Sequence, residues 1–184
     1  MCRVVLLYIF VVTATGVANG LKTIDDTCPS ALRGRVDVYY LDVQGDSCFY
    51  FGLTERKTYY SARKDCENDG GTLAMPKTKS LNDFLKDRLV NHYGTGEQTW
   101  IGLNDKKNES VFMWADNSKM NWNNFAPGNG LTNILVLRNV EDCVVLSPQD
   151  GGLWHDYRCN SSLLSWVSWA NPSKFYICQY TPDD

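Results

Sequence analysis

The stretch EDCVVLSPQDGGLWHDYRC, residues 141–159, places two cysteines, four carboxylates, a Gly-Gly turn and a tryptophan within nineteen residues. Two half-cystines this close in sequence can tie a surface loop and lower its entropy before any ligand arrives. Carboxylate and amide oxygens held within such a loop suit a hard cation or a sugar hydroxyl. The simpler alternative is a disulfide-tied hairpin whose charges are only solvated.

The first twenty residues have the pattern of a secretory signal peptide. Arg3 precedes an apolar run over residues 4–12, and small residues follow up to Gly20. The run is shorter than the roughly 20 apolar residues that span a bilayer. We therefore expect residues 1–20 to be a signal peptide and residues 21–184 to form a single extracellular, secreted domain without a membrane span.

The cysteine content agrees with export. Six cysteines remain beyond the predicted signal peptide: Cys28, Cys48, Cys66, Cys143, Cys159 and Cys178. An even number in an oxidising compartment predicts three disulfides, although spacing alone does not choose among the pairings. The sequons at Asn108 and Asn160 predict a glycoprotein.

Composition disfavours two functional classes. The net charge of −3 and the absence of a basic stripe disfavour nucleic-acid binding. The chain has two histidines, His92 and His155, and no G-x-S-x-G nucleophile motif. We therefore do not expect an enzyme.

Local patterns predict an α+β fold. Valines at positions 36, 38 and 43 with Gly45-Asp46 suggest a hairpin that Cys28 and Cys48 could close. Thr58 begins a predicted helix that Gly70-Gly71 ends, and Ser80 begins a second helix. Short apolar strands are predicted at 48–51, 100–103, 112–114, 144–146 and 175–177, and a long loop over 117–133.

An ordered set of motifs, over roughly residues 28–180, resembles the C-type lectin-like domain family in its secreted, single-domain long form. The motifs are Ser47-Cys48-Phe49-Tyr50, Gly71-Thr72-Leu73-Ala74, Trp100-Ile101-Gly102-Leu103, Phe125-Ala126-Pro127-Gly128, Glu141-Asp142-Cys143-Val144, Gly152-Leu153-Trp154 and Phe175-Tyr176-Ile177-Cys178. The resemblance implies two helices packed on small antiparallel sheets, with a long irregular loop region. It also implies the pairings Cys66–Cys178, Cys143–Cys159 and Cys28–Cys48, the last closing an enlarged hairpin at about 28–48.

Sugar-binding members of the family hold calcium with a Glu-Pro-Asn or Gln-Pro-Asp triplet, a later Glu and a Trp-Asn-Asp motif. In this chain Asn129-Gly130-Leu131 falls at the triplet, Glu141 matches the later Glu, and Trp154-His155-Asp156 matches the last motif. The resemblance thus gives the candidate ligand-binding residues Asn129, Glu141, Trp154, His155 and Asp156. A second interpretation of Trp154 is that it packs beneath the loop.

Calcium is possible but doubtful as a cofactor. Asn129, Glu141 and Asp156 offer about four oxygens, whereas calcium takes six to eight. A weak or absent site is therefore expected. A zinc site built from His155, Glu141 and Asp156 is an alternative, because zinc accepts nitrogen and few ligands.

The interval between Cys159 and Cys178 is longer than the family usually has, and it carries Trp166 and Trp169. This interval is interpreted either as an extra hairpin packed on the domain or as an aromatic surface for a partner. The leading hypothesis is a secreted carbohydrate-binding module that recognises its ligand through the long-loop face. The alternatives are calcium-independent protein binding and a matrix role.

Overall fold

A computed structural model describes residues 21–108, 111–130, 143–159 and 172–181. The α-helices are α1 Ile24–Thr27, α2 Ser30–Arg35, α3 Tyr59–Glu67 and α4 Lys79–Asp87, with 3-10 turns at Val38–Tyr40 and Pro148–Asp150 and a π-turn at Arg88–His92. The strands are β1 Leu41–Gln44, β2 Ser47–Lys57, β3 Thr72–Leu73, β4 Thr99–Asn104, β5 Met113–Trp114, β6 Cys143–Ser147, β7 Leu153–Tyr157 and β8 Lys174–Tyr180.

The strands join in one mixed sheet. Within the described ranges its order is β1-β2-β8-β4-β6-β7, with β3 paired to β8 and β5 paired to β4. The β4–β8 pair is parallel, in the register Thr99↔Phe175, and the other pairs are antiparallel. The α+β class is confirmed. The predicted antiparallel strand pairs are present, and the parallel β4–β8 pair links them into one mixed sheet.

The N-terminal hairpin is shorter than predicted. It consists of β1 and β2 alone, and the residues before it form α1, α2 and a 3-10 turn. The Thr23 side chain accepts a hydrogen bond from the Asp26 amide, and the Asp26 carboxylate accepts one from the Thr23 amide. This capping box begins α1, and α2 then buries Leu32. The valine pattern at 36–43 therefore indicated strand over too long a range.

The two longer helices begin at threonine caps. The Thr58 hydroxyl accepts from the Ser61 amide, and the Thr78 hydroxyl accepts from the Leu81 amide. The α3 prediction is confirmed, whereas the cap of α4 is Thr78, two residues before the predicted cap at Ser80, because the Thr78 hydroxyl satisfies the free Leu81 amide. None of the helices in the described ranges is long and apolar enough to cross a membrane.

The sheet carries apolar side chains on both faces. On β2, Tyr50 packs with Trp100 and α3, whereas Phe49 and Phe51 pack on the side of α4. This split follows from the alternation of side chains along a strand. We call these sides the α3 face and the α4 face. Trp154 and Trp114 belong to the α4 face.

The structure confirms all three predicted disulfides. Cys28 pairs with Cys48, Cys66 with Cys178, and Cys143 with Cys159. The last of these ties the start of β6 to the residues just after β7. It therefore fixes the base of the hairpin that carries the candidate site.

Candidate functional site

Trp154 lies at the centre of an aromatic cluster on the α4 face. Its side chain is 0% exposed, and its indole Nε1 donates a 2.7 Å hydrogen bond to Asn82 Oδ1. The rings of Trp114, Trp122 and Phe125 meet the indole edge-on, with centroids 5.6, 5.1 and 5.7 Å away. A side chain without exposed surface does not touch a ligand in this conformation. Of the two interpretations of Trp154, packing beneath the loop is the one that this placement favours.

The segment 121–130 is held on β7 by backbone hydrogen bonds. The Trp154 amide donates to Asn124 O at 2.9 Å, and the Ala126 amide donates to Trp154 O at 2.9 Å. The Asn124 side-chain amide also donates to Gly152 O at 2.8 Å. The loop thus lies along β7, with an isolated parallel bridge between Phe125 and Trp154. We call the surface formed by residues 121–130 and Asp156 the loop face.

Asp156 contacts the position where the resemblance places the calcium triplet. Its Oδ2 accepts a 3.1 Å hydrogen bond from the Gly130 amide, which brings the carboxylate against the Asn129–Gly130 peptide. Gly130 has φ 69°, and a Cβ there would lie 2.7 Å from the Phe125 ring. Glycine is required for this approach, and a proline there would lack the donating N–H. The loop conformation therefore requires glycine, and not the proline of the family triplet, at position 130.

His155 does not join Asp156. Neighbouring residues on β7 point to opposite sides of the sheet, so His155 leaves the α4 face. Its Nε2 lies 2.8 Å from Asp150 Oδ2 in the turn between β6 and β7. The zinc alternative required His155, Glu141 and Asp156 together. The structure separates the first and last of these.

Calcium fits only part of the predicted set. Asp156 contacts the backbone of Gly130, the residue after Asn129, while Glu141 lies outside the described residues. In the ranges that the structure describes, no group of three or more His, Cys, Asp or Glu side chains could hold a metal ion. Calcium takes six to eight oxygens, and one Asp156 oxygen already accepts from Gly130. We therefore assign no step of binding to calcium.

The other predicted positions are partly described. Asn108 is exposed in the loop after β4, where a glycan would be accessible. Asn160, Trp166 and Trp169 lie outside the described residues, so glycosylation at Asn160 and a partner surface on the two tryptophans stay predictions.

Sequence reasoning missed Asn82 and Asn124, which hold the turn at Gly152. Asn82 lies between Leu81 and Leu85 on the buried side of α4. A polar residue at a core-facing helix position is a signal that would have found it.

The largest pKa shift lies on the α3 face, on the opposite side of the sheet. Burial, together with the hydrogen bond that the Tyr176 hydroxyl donates to Asp65, raises the pKa of Tyr176 well above its usual value. Asp65 also lies 3.3 Å from Lys57 Nζ and 3.6 Å from Arg35. This cluster joins β8, β2, α2 and α3. It stabilises the α3 face and is separate from the loop face.

Comparison with known proteins agrees with this architecture. The family model described as Lectin C-type domain matches residues 55–167. Tetranectin of Homo sapiens is 32% identical over 139 residues, which cover 72% of this chain and 59% of tetranectin. The chain therefore spans less than two thirds of that relative.

Solved structures show the same fold. The carbohydrate-recognition domain of the mouse scavenger receptor C-type lectin superposes with a TM-score of 0.63 at 24% identity, over 78% of this chain and 97% of that domain. The cow CD23 carbohydrate-recognition domain, solved in the presence of a GlcNAc2Man3 oligosaccharide, gives a TM-score of 0.61 at 26% identity. That match covers 79% of this chain and 95% of the cow domain.

Proposed function

Because this chain belongs to the family of the Lectin C-type domain, we propose that it is a secreted module that binds carbohydrate through the loop face. The three disulfides support an oxidising, extracellular location. The cow CD23 carbohydrate-recognition domain, which is 26% identical and was solved in the presence of an oligosaccharide, has the same fold, and this supports a sugar as the ligand.

The observation that carries this proposal is the contact between Asp156 and the Asn129–Gly130 peptide. It holds the Asp156 carboxylate on the backbone amide of Gly130, directly after Asn129 in the chain, and both Asp156 and Asn129 are half-buried. A carboxylate accepts from sugar hydroxyls, and an amide both donates and accepts, which suits a vicinal pair. The aromatic cluster under the loop orders these groups before the ligand arrives, which reduces the entropy lost on binding.

The rim of the loop face is polar. Asn121 and Asn123 are exposed beside the half-buried Trp122 and Phe125. Amides at the rim add hydrogen-bonding groups for further sugar units. The proposed binding is direct hydrogen bonding with calcium in at most a supporting role, because the triplet position holds Asn129-Gly130-Leu131.

The test is binding of the purified protein to an immobilised glycan array, with calcium and again with chelator. Asp156→Ala is expected to lose at least roughly tenfold in affinity, since it removes a charged hydrogen-bond acceptor and frees the Gly130 amide. Asp150→Ala is the matched control, because it also removes a carboxylate but one that contacts His155 on the other side of β7. We expect that control to bind like the wild type.

Retention of binding in chelator would support a calcium-independent sugar site, and its loss would show that calcium contributes. Absence of binding to every glycan would overturn the proposal. Capture of a protein ligand through the loop face, with Asp156→Ala abolishing it, would then favour the calcium-independent protein-binding alternative. Equal affinities for wild type and Asp156→Ala would refute the assigned role of Asp156.

A further inference from the structure

Asn82 is a buried polar residue on α4 whose side-chain oxygen and nitrogen both have hydrogen-bond partners. It is 1% exposed, in a helix that buries Leu85 on the same side. Its Oδ1 accepts from the Trp154 indole at 2.7 Å, and its Nδ2 donates to Gly152 O at 3.1 Å. Burying an amide is costly unless both ends are paired. Here one amide satisfies two groups, which lie on either side of Leu153.

Both partners of Asn82 also hold the loop. Gly152 O accepts a second hydrogen bond from the Asn124 side chain, at 2.8 Å. The Trp154 backbone pairs with Asn124 and Ala126. The Asn82 amide therefore lies where α4, the β6–β7 turn and the segment 121–130 meet. From there the chain runs directly to Gly130 and its contact with Asp156.

The conformation of the β6–β7 turn allows Gly152 to lie close to the Asn82 side chain. Gly152 has φ 84°, a conformation that favours glycine, and a Cβ there would lie 3.1 Å from Asn82 Nδ2. Lys86 packs beside the same position, one turn further along α4. Helix and turn thus come close enough for the amide to reach the carbonyl.

We propose that Asn82 is the positioning residue of the loop face. By accepting from Trp154 and donating to Gly152 it sets the height and tilt of β7 relative to α4, and through Asn124 and Ala126 it sets the position of the residues that meet the ligand. Its effect on ligand affinity rests on the function proposed above, whereas its effect on the loop does not. A side chain that only accepts, or only fills space, cannot replace it.

The test compares Asn82→Leu and Asn82→Asp with a control, Asn91→Leu, at an exposed asparagine of the Arg88–His92 turn. The readouts are amide hydrogen exchange, the Trp154 indole N–H resonance and glycan affinity. In Asn82→Leu, protection of the Ala126 and Trp154 amides is expected to fall roughly tenfold relative to the amides of β2 and β8. The indole resonance should shift, and affinity should fall by a similar factor.

Asn82→Asp separates positioning from filling of space. As a carboxylate it still accepts from Trp154 but repels Gly152 O, whereas the protonated acid can donate to that carbonyl. Burial raises the pKa of such a carboxyl, so recovery of protection and of the indole resonance is expected as the pH falls from 8 to 5. Asn82→Leu keeps the neighbouring Lys86 and the His155–Asp150 pair, so any pH effect from those groups would also be seen in this variant. Its amide protection and indole resonance should not recover at low pH.

The proposal is overturned if Asn82→Leu leaves the Ala126 and Trp154 amides as protected as in Asn91→Leu. It is also overturned if Asn82→Asp and Asn82→Leu behave alike at both pH values. If the wild type binds no glycan, the proposed function fails, and the exchange and indole readouts still decide the role of Asn82. If Asn82→Leu does not fold, the pH dependence of Asn82→Asp provides the decision.

Discussion

Removing the Cys66–Cys178 disulfide is expected to destabilise the fold more than removing Cys143–Cys159. The first pair joins residues 112 positions apart and ties α3 to β8. The second joins residues 16 apart, at the base of a hairpin that strand pairing already closes. The entropy of closing such loops in the unfolded chain gives about 4.8 kcal/mol for the long loop and about 3.1 kcal/mol for the short one.

The assay is urea unfolding of the double variants Cys66→Ala/Cys178→Ala and Cys143→Ala/Cys159→Ala against the wild type. Both double variants remove well-buried sulfur, so their difference isolates the loop term. That difference in the free energy of unfolding is expected to be about 1.7 kcal/mol. An equal or larger loss in the Cys143→Ala/Cys159→Ala variant would refute the reasoning and place the stabilisation in native packing around the hairpin.

Two further predictions concern the core. Gly102→Ala should lower the free energy of unfolding in urea by about 1–3 kcal/mol, because the new Cβ would lie 2.6 Å from the Leu73 carbonyl. Gly34→Ala, in α2 with open space around it, is the control and should gain about 0.5–1 kcal/mol; a loss there equal to that at Gly102 would contradict the steric argument. Burial raises the pKa of Tyr59 to about 12, partly offset by the Asn104 amide that donates to its hydroxyl. The folded state therefore holds this proton longer than the unfolded chain, so the stability from Tyr59 is present below its ordinary pKa of 10.0 and is lost as the pH rises toward 12. Unfolding free energies measured at pH 9 and 11 should fall less steeply in Tyr59→Phe than in the wild type, and an unchanged slope would be inconsistent with this assignment.

Local sequence signals were sufficient to predict those helices and strands that are specified by neighbouring residues. The threonine at 58, the apolar spacing of Tyr59, Ala62 and Cys66, and the glycines after them predicted α3. Apolar runs predicted β4, β6 and β8 in the same way. The prediction of strand before β1 was wrong, because valines favour strands on average, while the capping box of Thr23 and Asp26 starts a helical segment instead.

The pairing of the cysteines required more than spacing. Six cysteines allow many combinations, and it was the resemblance of the ordered motifs to a known family that selected the pairs found in the structure. The sheet order is a further case. The parallel β4–β8 contact joins strands distant in sequence, and no local pattern specifies it.

The sequence alone determined the candidate residues at the loop face, since the motif at 154–156 and the departure at 129–131 are both visible in it. The tertiary structure decided where each residue lies and what it contacts. It buried Trp154, turned His155 away from Asp156, and brought Asn82 onto an indole 72 residues further along the chain. The physical reason is that strand alternation divides neighbouring residues between two faces, while packing joins residues that the sequence keeps far apart.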